Sequence, residues 1–337
     1  MNQTASPITR RLAPAVLQPA LLLSALWLLS ACLPAAEPVA KPAKTVRLLT
    51  VGNSFSQNAT RYLNDLTKSA GNVLIHQPLV VGGSPLSLHW EKAEQHEKDP
   101  KAPAGLYGNK LSLKQALAVQ PWDFVTIQQA SIKSHDVATY RPYAKQLHDY
   151  IKQHAPKTEV LIHQTWAYRR DDPRFAVTAP KPGEPATQAD MYRMLTSAYT
   201  TIAAELGVRR IPVGDAFYLA DTDAKWGYQP DAKYDFAKKE PTTLPDQTHS
   251  LHVGWRLAKQ TNAPPKLAID GHHANLAGEY LGACVFYEVL FGDSVVGNAF
   301  VPAGLDKAHA RFLQETAHQA VANSRVKPAT VPDAGVK

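Results

Sequence analysis

Two short segments near opposite ends of the 337-residue chain hold the residue types that nucleophilic catalysis needs. The first is Gly52-Asn53-Ser54-Phe55-Ser56, placed just after an apolar run and just before a helical pattern. A serine at such a turn projects from the sheet edge, with its own N–H facing whatever it attacks. Gly52 permits the tight backbone that the turn needs. The same position suits a plain helix cap, a role open to Ser54 and Ser56 alike. A serine nucleophile needs a base, and one of the 13 histidines stands apart. In Asp270-Gly271-His272-His273 an aspartate precedes His273 by three residues in a loop entering a helix. Asp270 could accept a bond from the Nδ1–H of His273, fixing the tautomer whose Nε2 takes the serine proton. The other use of that pattern is an aspartate capping the last helix beside an exposed histidine.

Other candidate groups are weaker. His163-Gln164-Thr165-Trp166 closes an apolar run, and Trp166 could line a pocket as a platform for a sugar ring or could cap the core. His249-Ser250-Leu251-His252 and His272-His273 lack the spacing of a zinc signature, and no cysteine accompanies them, so no metal is expected. Gly82-Gly83 lacks the remaining Walker or Rossmann residues, so no phosphate-bearing cofactor is expected either.

The elements that must position these groups alternate between strand-length apolar runs and helical patterns. Strands are expected at Val46–Val51, Val73–Val81, Phe124–Gln128, Val160–Gln164 and Arg210–Val213. Helices are expected from Asn58 to Ser69, across Tyr143–His154 and Ala189–Leu206, and from Asn275 to Leu290. Continuous apolar strands separated by helices imply a parallel sheet covered on both faces. The expected fold is therefore a three-layer α/β/α sandwich with a flavodoxin-like, five-stranded parallel sheet. Its active groups should lie at the carboxyl ends of the strands. Residues 216–266 break the rhythm, with aromatics and prolines but no clear periodicity, and read as a functional excursion or a packed surface subdomain.

Taken together, the segments resemble the SGNH/GDSL hydrolases. Gly52-Asn53-Ser54 is similar to their first block, and Asp270-Gly271-His272-His273 to their last, in the same order along the chain. Asn275-Leu276-Ala277-Gly278 continues the likeness into the terminal helix, and the resemblance spans roughly 45–292. It is nearest to a bacterial branch in which Gly-Asn-Ser-Phe-Ser opens the domain. The resemblance implies an ester hydrolase with Ser54, His273 and Asp270 as its triad. It also implies an oxyanion hole built from the N–H groups of Ser54 and Gly83 and a side-chain amide after the third strand. The family usually has asparagine there; this chain has Gln128-Gln129, with Gln129 the first choice. Asn53 replaces the usual aspartate and is expected to organise the turn by side-chain hydrogen bonds. Asn53, Gln128 and Trp166 are the expected substrate-binding residues. The implied substrate is an acyl ester, O-acetyl on carbohydrate being the family preference. A protein that keeps the fold but has become a weak or inactive carbohydrate binder is the alternative.

The N-terminus carries a further signal. Arg10 and Arg11 precede the apolar stretch Leu21–Leu29, and Leu29-Ser30-Ala31-Cys32 follows. That is the layout of a secretory signal, too short in its apolar core to span a bilayer comfortably. It resembles the bacterial lipobox, which predicts a signal peptide over 1–31, an acylated Cys32 and a tether over 32–44. Ordinary signal cleavage near Ala36 is the other reading. Residues 293–325 read as a C-terminal extension and 326–337 as a flexible tail. With a lipidated Cys32, Cys284 has no partner for an internal disulfide and reads as a small buried hydrophobe. The net charge of +7 is spread along the chain, so nucleic acid is not an expected partner. The expected partners are an ester substrate, small or polysaccharide, and a membrane through the lipid anchor.

Overall fold

A computed structural model describes residues 42–237, 241–261 and 263–325. The signal over 1–31, Cys32, nearly all of the tether and the 326–337 tail lie outside the described residues. The tether ends within them at Lys44, whose ammonium donates to the Phe291 carbonyl at 2.6 Å and pairs with Asp293 at 3.0 Å. Among the described residues no helix is long and apolar enough to cross a membrane.

The chain opens with β1 (Thr45–Gly52), α1 (Ser54–Ala59), α2 (Leu63–Ser69) and β2 (Val73–Val80). Next come α3 (Leu86–Lys98), α4 (Leu113–Ala118), β3 (Phe124–Ile127), α5 (Tyr143–His154) and β4 (Glu159–His163). Then follow α6 (Gln188–Leu206), β5 (Arg209–Ile211) and α7 (Val213–Asp221). A hairpin of β6 (His252–Gln260) and β7 (Ala263–Ala274) leads into α8 (Leu276–Phe291) and α9 (Lys307–Arg325). Strands β1 to β5 form one parallel sheet in the order β2-β1-β3-β4-β5. Helices α1, α2, α7, α8 and α9 pack together on one face, and α3 to α6 on the other. This is the three-layer, doubly wound fold expected from the alternation.

The sheet forms because its strands can be buried on both sides. From Leu48 to Gly52, β1 is continuously buried, as are Val125–Ile127 of β3 and Val160–His163 of β4. Burying each Leu, Val or Ile side chain among them contributes about 1.5–3 kcal/mol. Helix α8 is apolar almost all round and buried from Tyr280 to Phe291, because α9 covers the side that the sheet does not. Ala310, Leu313, Ala317 and Val321 of α9 join the common core.

The observed elements differ from expectation in a helix break, a strand end and an added hairpin. The single helix expected from Asn58 to Ser69 is two, broken at Thr60–Tyr62. Thr60 caps α1 and returns its hydroxyl to the Ser56 carbonyl, a local bond that favours ending a helix there. Strand β5 stops at Ile211 because Pro212 has no N–H to give. Within 216–266 the structure adds most of α7 and the β6–β7 hairpin, which neither composition nor periodicity had indicated.

Candidate active site

The turn after β1 is built by Asn53. Its side chain accepts the Phe55 N–H at 3.0 Å, and its carbonyl accepts the Ser56 N–H and hydroxyl at 3.1 and 2.8 Å. The capping task thus falls to Asn53, and the Ser54 hydroxyl meets His273 Nε2 at 2.9 Å. Beneath the turn lies Gln128, whose Nε2 donates to Asn53 Oδ1 at 2.9 Å. Its Oε1 is therefore the acceptor for His163 Nδ1–H at 3.2 Å. Burial pushes the His163 imidazole down to about 3, so the ring is neutral. Gly52 is required here: a Cβ would sit 2.8 Å from Gln128 Oε1.

A second chain of bonds ties this turn to the one after β2. Asn53 Nδ2 donates to the Ser84 carbonyl at 3.0 Å. The Ser84 hydroxyl lies 2.8 Å from His89 Nε2, and His89 Nδ1 lies 2.8 Å from the Tyr107 hydroxyl. These groups are buried, so each bond removed would leave a polar atom without water to replace its partner. The network fixes Gly83, which holds φ at +65°, a conformation that favours glycine.

The acid–base pair comes from the end of β7. His252 pairs with Ala274 and Gly254 with Asp270, so one residue of β6 faces three of β7. This bulge re-aims Gly271-His272-His273 out of the ladder. Asp270 Oδ2 accepts His273 Nδ1–H at 2.9 Å, and Oδ1 accepts the His273 and His272 N–H groups at 3.0 and 3.3 Å. Burial raises the Asp270 carboxyl, but the bonds from the His273 ring and backbone and the two nearby imidazoles outweigh it. The net effect holds Asp270 well below the usual carboxylate range, ionised at any pH where an esterase works.

The loop after β4 grips the other side of this segment. Trp166 Nε1 donates to the His272 carbonyl at 2.9 Å, and the Arg169 N–H to the Gly271 carbonyl at 2.7 Å. Trp166 is fully buried, stacked on Phe217 and tilted against Phe55, each at 4.4 Å between ring centres. It supports His273 from behind and offers no face to a sugar, which corrects the expectation of a platform. Arg169, also fully buried, holds Asp171 through Nε at 2.6 Å and Nη2 at 3.0 Å. Its Nη1 reaches Gln247 at 2.8 Å and Ser250 at 3.2 Å, and its guanidinium lies 4.4 Å from the Tyr228 ring centre. Tyr228 and Trp255 both donate to Asp171 at 3.0 Å. Arg169 therefore anchors the hairpin that carries Asp270 and His273. Its only sequence signal is the Arg169-Arg170-Asp171-Asp172 cluster in the loop after β4.

A cavity of about 230 Å³ opens over Ser54. Asn53, Ser54, Phe55 and Gly83 line one side, His272 and His273 another, and Ala130, Ser131, Ile132 and Tyr168 the third. Ser54 and Gly83, the two expected backbone donors, are thus brought together. Gln129 is not. Its Oε1 accepts the Leu86 and Ala130 N–H groups at 3.1 and 2.8 Å, and its Nε2 donates to the Thr139 carbonyl at 2.8 Å. The extra methylene carries the amide past the cavity and into the scaffold, which corrects its assignment to the oxyanion hole. Gln128 is likewise buried under the turn and does not line the cavity, and Asn53 lines it with its Oδ1 accepting from Phe55 and Gln128 and its Nδ2 donating to the Ser84 carbonyl. The polar wall that the sequence did not reveal is the Ser131 hydroxyl, 3.0 Å from the Tyr168 hydroxyl. Burial raises the Tyr168 phenol, which keeps its proton.

The Gln129→Asn variant separates these roles. The shorter side chain cannot reach all three partners, and each buried group left unpaired costs about 1–3 kcal/mol. Its thermal midpoint should fall by several degrees while kcat/KM per folded molecule changes less than about tenfold. A loss of about 10²–10³ at unchanged stability would return the amide to the oxyanion hole.

Among the described residues, one group of His, Asp, Glu or Cys side chains is close enough to hold a metal ion: Asp270, His272 and His273. Of their possible ligand atoms, His273 Nδ1 and Asp270 Oδ2 are bonded to each other, and His273 Nε2 meets Ser54. His252 is buried with Nε2 at 3.1 Å from the Ala167 carbonyl, and His249 packs beside Trp226 and His309. A wider hollow of about 900 Å³ between α6, β5 and α9 has no histidine, cysteine or carboxylate among the described residues that line it.

The family model described as "Domain of unknown function (DUF4886)" matches residues 47–222, a span that includes Ser54 and Gly83 and ends before Asp270. The crystal structure of a DUF4886 family protein from Bacteroides uniformis ATCC 8492 is 26% identical, covering 82% of this chain and 95% of that one, with a TM-score of 0.60. A protein from Slackia heliotrinireducens described as "a putative SGNH hydrolase" is 21% identical over 72% of this chain and 98% of its own, with a TM-score of 0.44. The periplasmic domain of a Salmonella ser. Paratyphi A lipopolysaccharide acetyltransferase is 14% identical over 75% and 84%, with a TM-score of 0.41. No functionally curated protein matches the sequence.

Proposed function

We propose that this chain, which belongs to the DUF4886 family, is a serine esterase that cleaves short acyl esters. The observation that carries the reading is the unbroken line from Ser54 Oγ to His273 Nε2 at 2.9 Å and from His273 Nδ1 to Asp270 Oδ2 at 2.9 Å. In the first half-reaction Ser54 Oγ bonds to the ester carbonyl carbon as its proton passes to His273 Nε2. Asp270 stabilises the imidazolium that results. The N–H groups of Ser54 and Gly83 hold the oxyanion, and the Ser131–Tyr168 pair supplies the polar wall in place of a side-chain amide. Collapse expels the alkoxide, which takes the proton from His273. Water, deprotonated by the same ring, then releases the acid and restores Ser54.

The size of the cavity favours an acetyl group. A volume of about 230 Å³ lies below the roughly 300–1,000 Å³ of pockets that enclose larger ligands, and no long apolar groove leads from Ser54 among its lining residues. A carbohydrate as the alcohol, export and a lipid on Cys32 are further parts of the proposal, the last two resting on the layout of residues 1–32. A non-catalytic binding role would be favoured by a serine out of reach of His273, and here the two are in contact.

Aryl esters of graded chain length test the acyl assignment. The acetate should be hydrolysed with a kcat/KM at least tenfold above the octanoate, because the longer chain has nowhere to lie. Equal rates would overturn the short-acyl assignment, and hydrolysis of neither would overturn the esterase.

A further inference from the structure

We propose that the β6–β7 ribbon is a binding arm for an anionic polysaccharide, which it guides toward Ser54; the inference names the substrate class of the esterase proposed above and rests on it. From residue 247 to residue 269 the sequence has no aspartate or glutamate, but it has Arg256, Lys259 and Lys266. All three side chains are exposed, and none forms an ion pair with a described residue. The acid that precedes the ribbon, Asp246, is folded into its own turn and accepts the Thr248 N–H and hydroxyl at 2.9 and 2.6 Å.

The register places this charge. Side chains alternate along a strand, so Lys266, Ala268 and Asp270 share one face of β7. Ala268 pairs with Arg256 and Lys266 with Ala258, which brings Arg256 to that same face. With a rise of about 3.4 Å per residue, Arg256 lies about 7 Å and Lys266 about 14 Å along the ribbon from the level of the triad carboxylate. Lys259, out of phase with Arg256 and beside the register shift between Ala258 and Gln260, adds a third positive charge near the turn but not on that face. Two cations spaced outward on one face from a small acyl pocket, with a third at the tip, match an extended chain that carries a negative charge and a short ester. They do not match a lipid, whose acyl chain the cavity would not hold. The ribbon's other face adds a surface suited to sugar rings: Trp255, held by its bond to Asp171, lies 5.2 Å from the half-exposed ring of Phe236.

The test uses the purified full chain and a polyuronate without acyl groups, so that binding is read apart from hydrolysis. The chain should bind polygalacturonate and not dextran, with affinity falling as salt rises from 50 to about 500 mM, as screening of exposed charges requires. The variant Arg256→Glu/Lys259→Glu/Lys266→Glu, changed only at exposed positions, should bind at least tenfold more weakly, with unchanged circular dichroism. Equal binding by the variant, no binding by the parent, or binding of the parent to anionic phosphatidylglycerol vesicles but not to the polyuronate would each overturn the proposal. Hydrolysis of a neutral aryl acetate by the parent reports on the esterase separately, so failure of the arm and failure of the esterase give different results.

Discussion

Replacing Ser54 with alanine should lower kcat on an aryl acetate by about 10⁴-fold or more, and His273→Ala should do the same. In the proposed mechanism the two residues act on one proton. Without His273 the Ser54 hydroxyl has no base within reach, and without Ser54 the ring has no nucleophile to activate. The Ser54→Ala/His273→Ala double variant should therefore be no slower than either single one, since residues that act as a unit are not additive. Residual turnover would come from Ser54 and Gly83 N–H groups still aimed at the carbonyl. Steady-state rates on matched preparations, with thermal midpoints alongside, check the expectation. Losses that multiply in the double variant would mean that the two side chains serve separate steps.

The second large effect is on stability and reaches the site indirectly. Arg169→Met removes the guanidinium that holds Asp171 by two bonds and leaves a carboxylate, 17% exposed at its side chain, with the Tyr228 hydroxyl and the Trp255 indole as its remaining donors. Breaking a buried pair from one side costs about 3–5 kcal/mol, because the partner charge stays behind. At roughly 2–4 °C per kcal/mol for a domain of this size, the thermal midpoint should fall by roughly 6 °C or more. Arg169 also holds Gln247 and Ser250 at the root of the hairpin, so His273 should shift as well, and misplacement by about 1 Å can cost about 100-fold in rate. Arg169→Met/Asp171→Leu, which removes both charges, should recover much of the stability. A thermal midpoint unchanged in Arg169→Met would show that the hairpin is anchored by other contacts.

These two predictions differ in how far the sequence could reach them. The meeting of Ser54, Asp270 and His273 is legible in the sequence because each sits in a short motif at the end of an element, where local pattern and chain order together point to one place. The sheet was legible because its strands are apolar on both sides, which leaves a continuous run in the sequence. Gln129 was misread: its position at the end of β3 was right, but which way its amide turns depends on Leu86 and Thr139, far from it in sequence. Trp166 was misplaced for a similar reason, since the rings that bury it belong to α1 and α7.

The β6–β7 hairpin left almost no signal. Most of its side chains are exposed or half-buried, so alternation is weak, and β7 begins with Ala263-Pro264-Pro265, residues that argue against a strand. A two-stranded ribbon has an edge on each side, which is where proline can be accommodated. Arg169 is the counterpart of that omission: a buried arginine can be understood only once the hairpin it anchors is known.

Covalent labelling with a fluorophosphonate shows whether Ser54 is an activated nucleophile. Mass spectrometry of the parent should find a single adduct, on the peptide containing Ser54, and His273→Ala should remain unlabelled under the same conditions. An unlabelled Ser54 in a folded parent, or equal labelling in His273→Ala, would contradict the account.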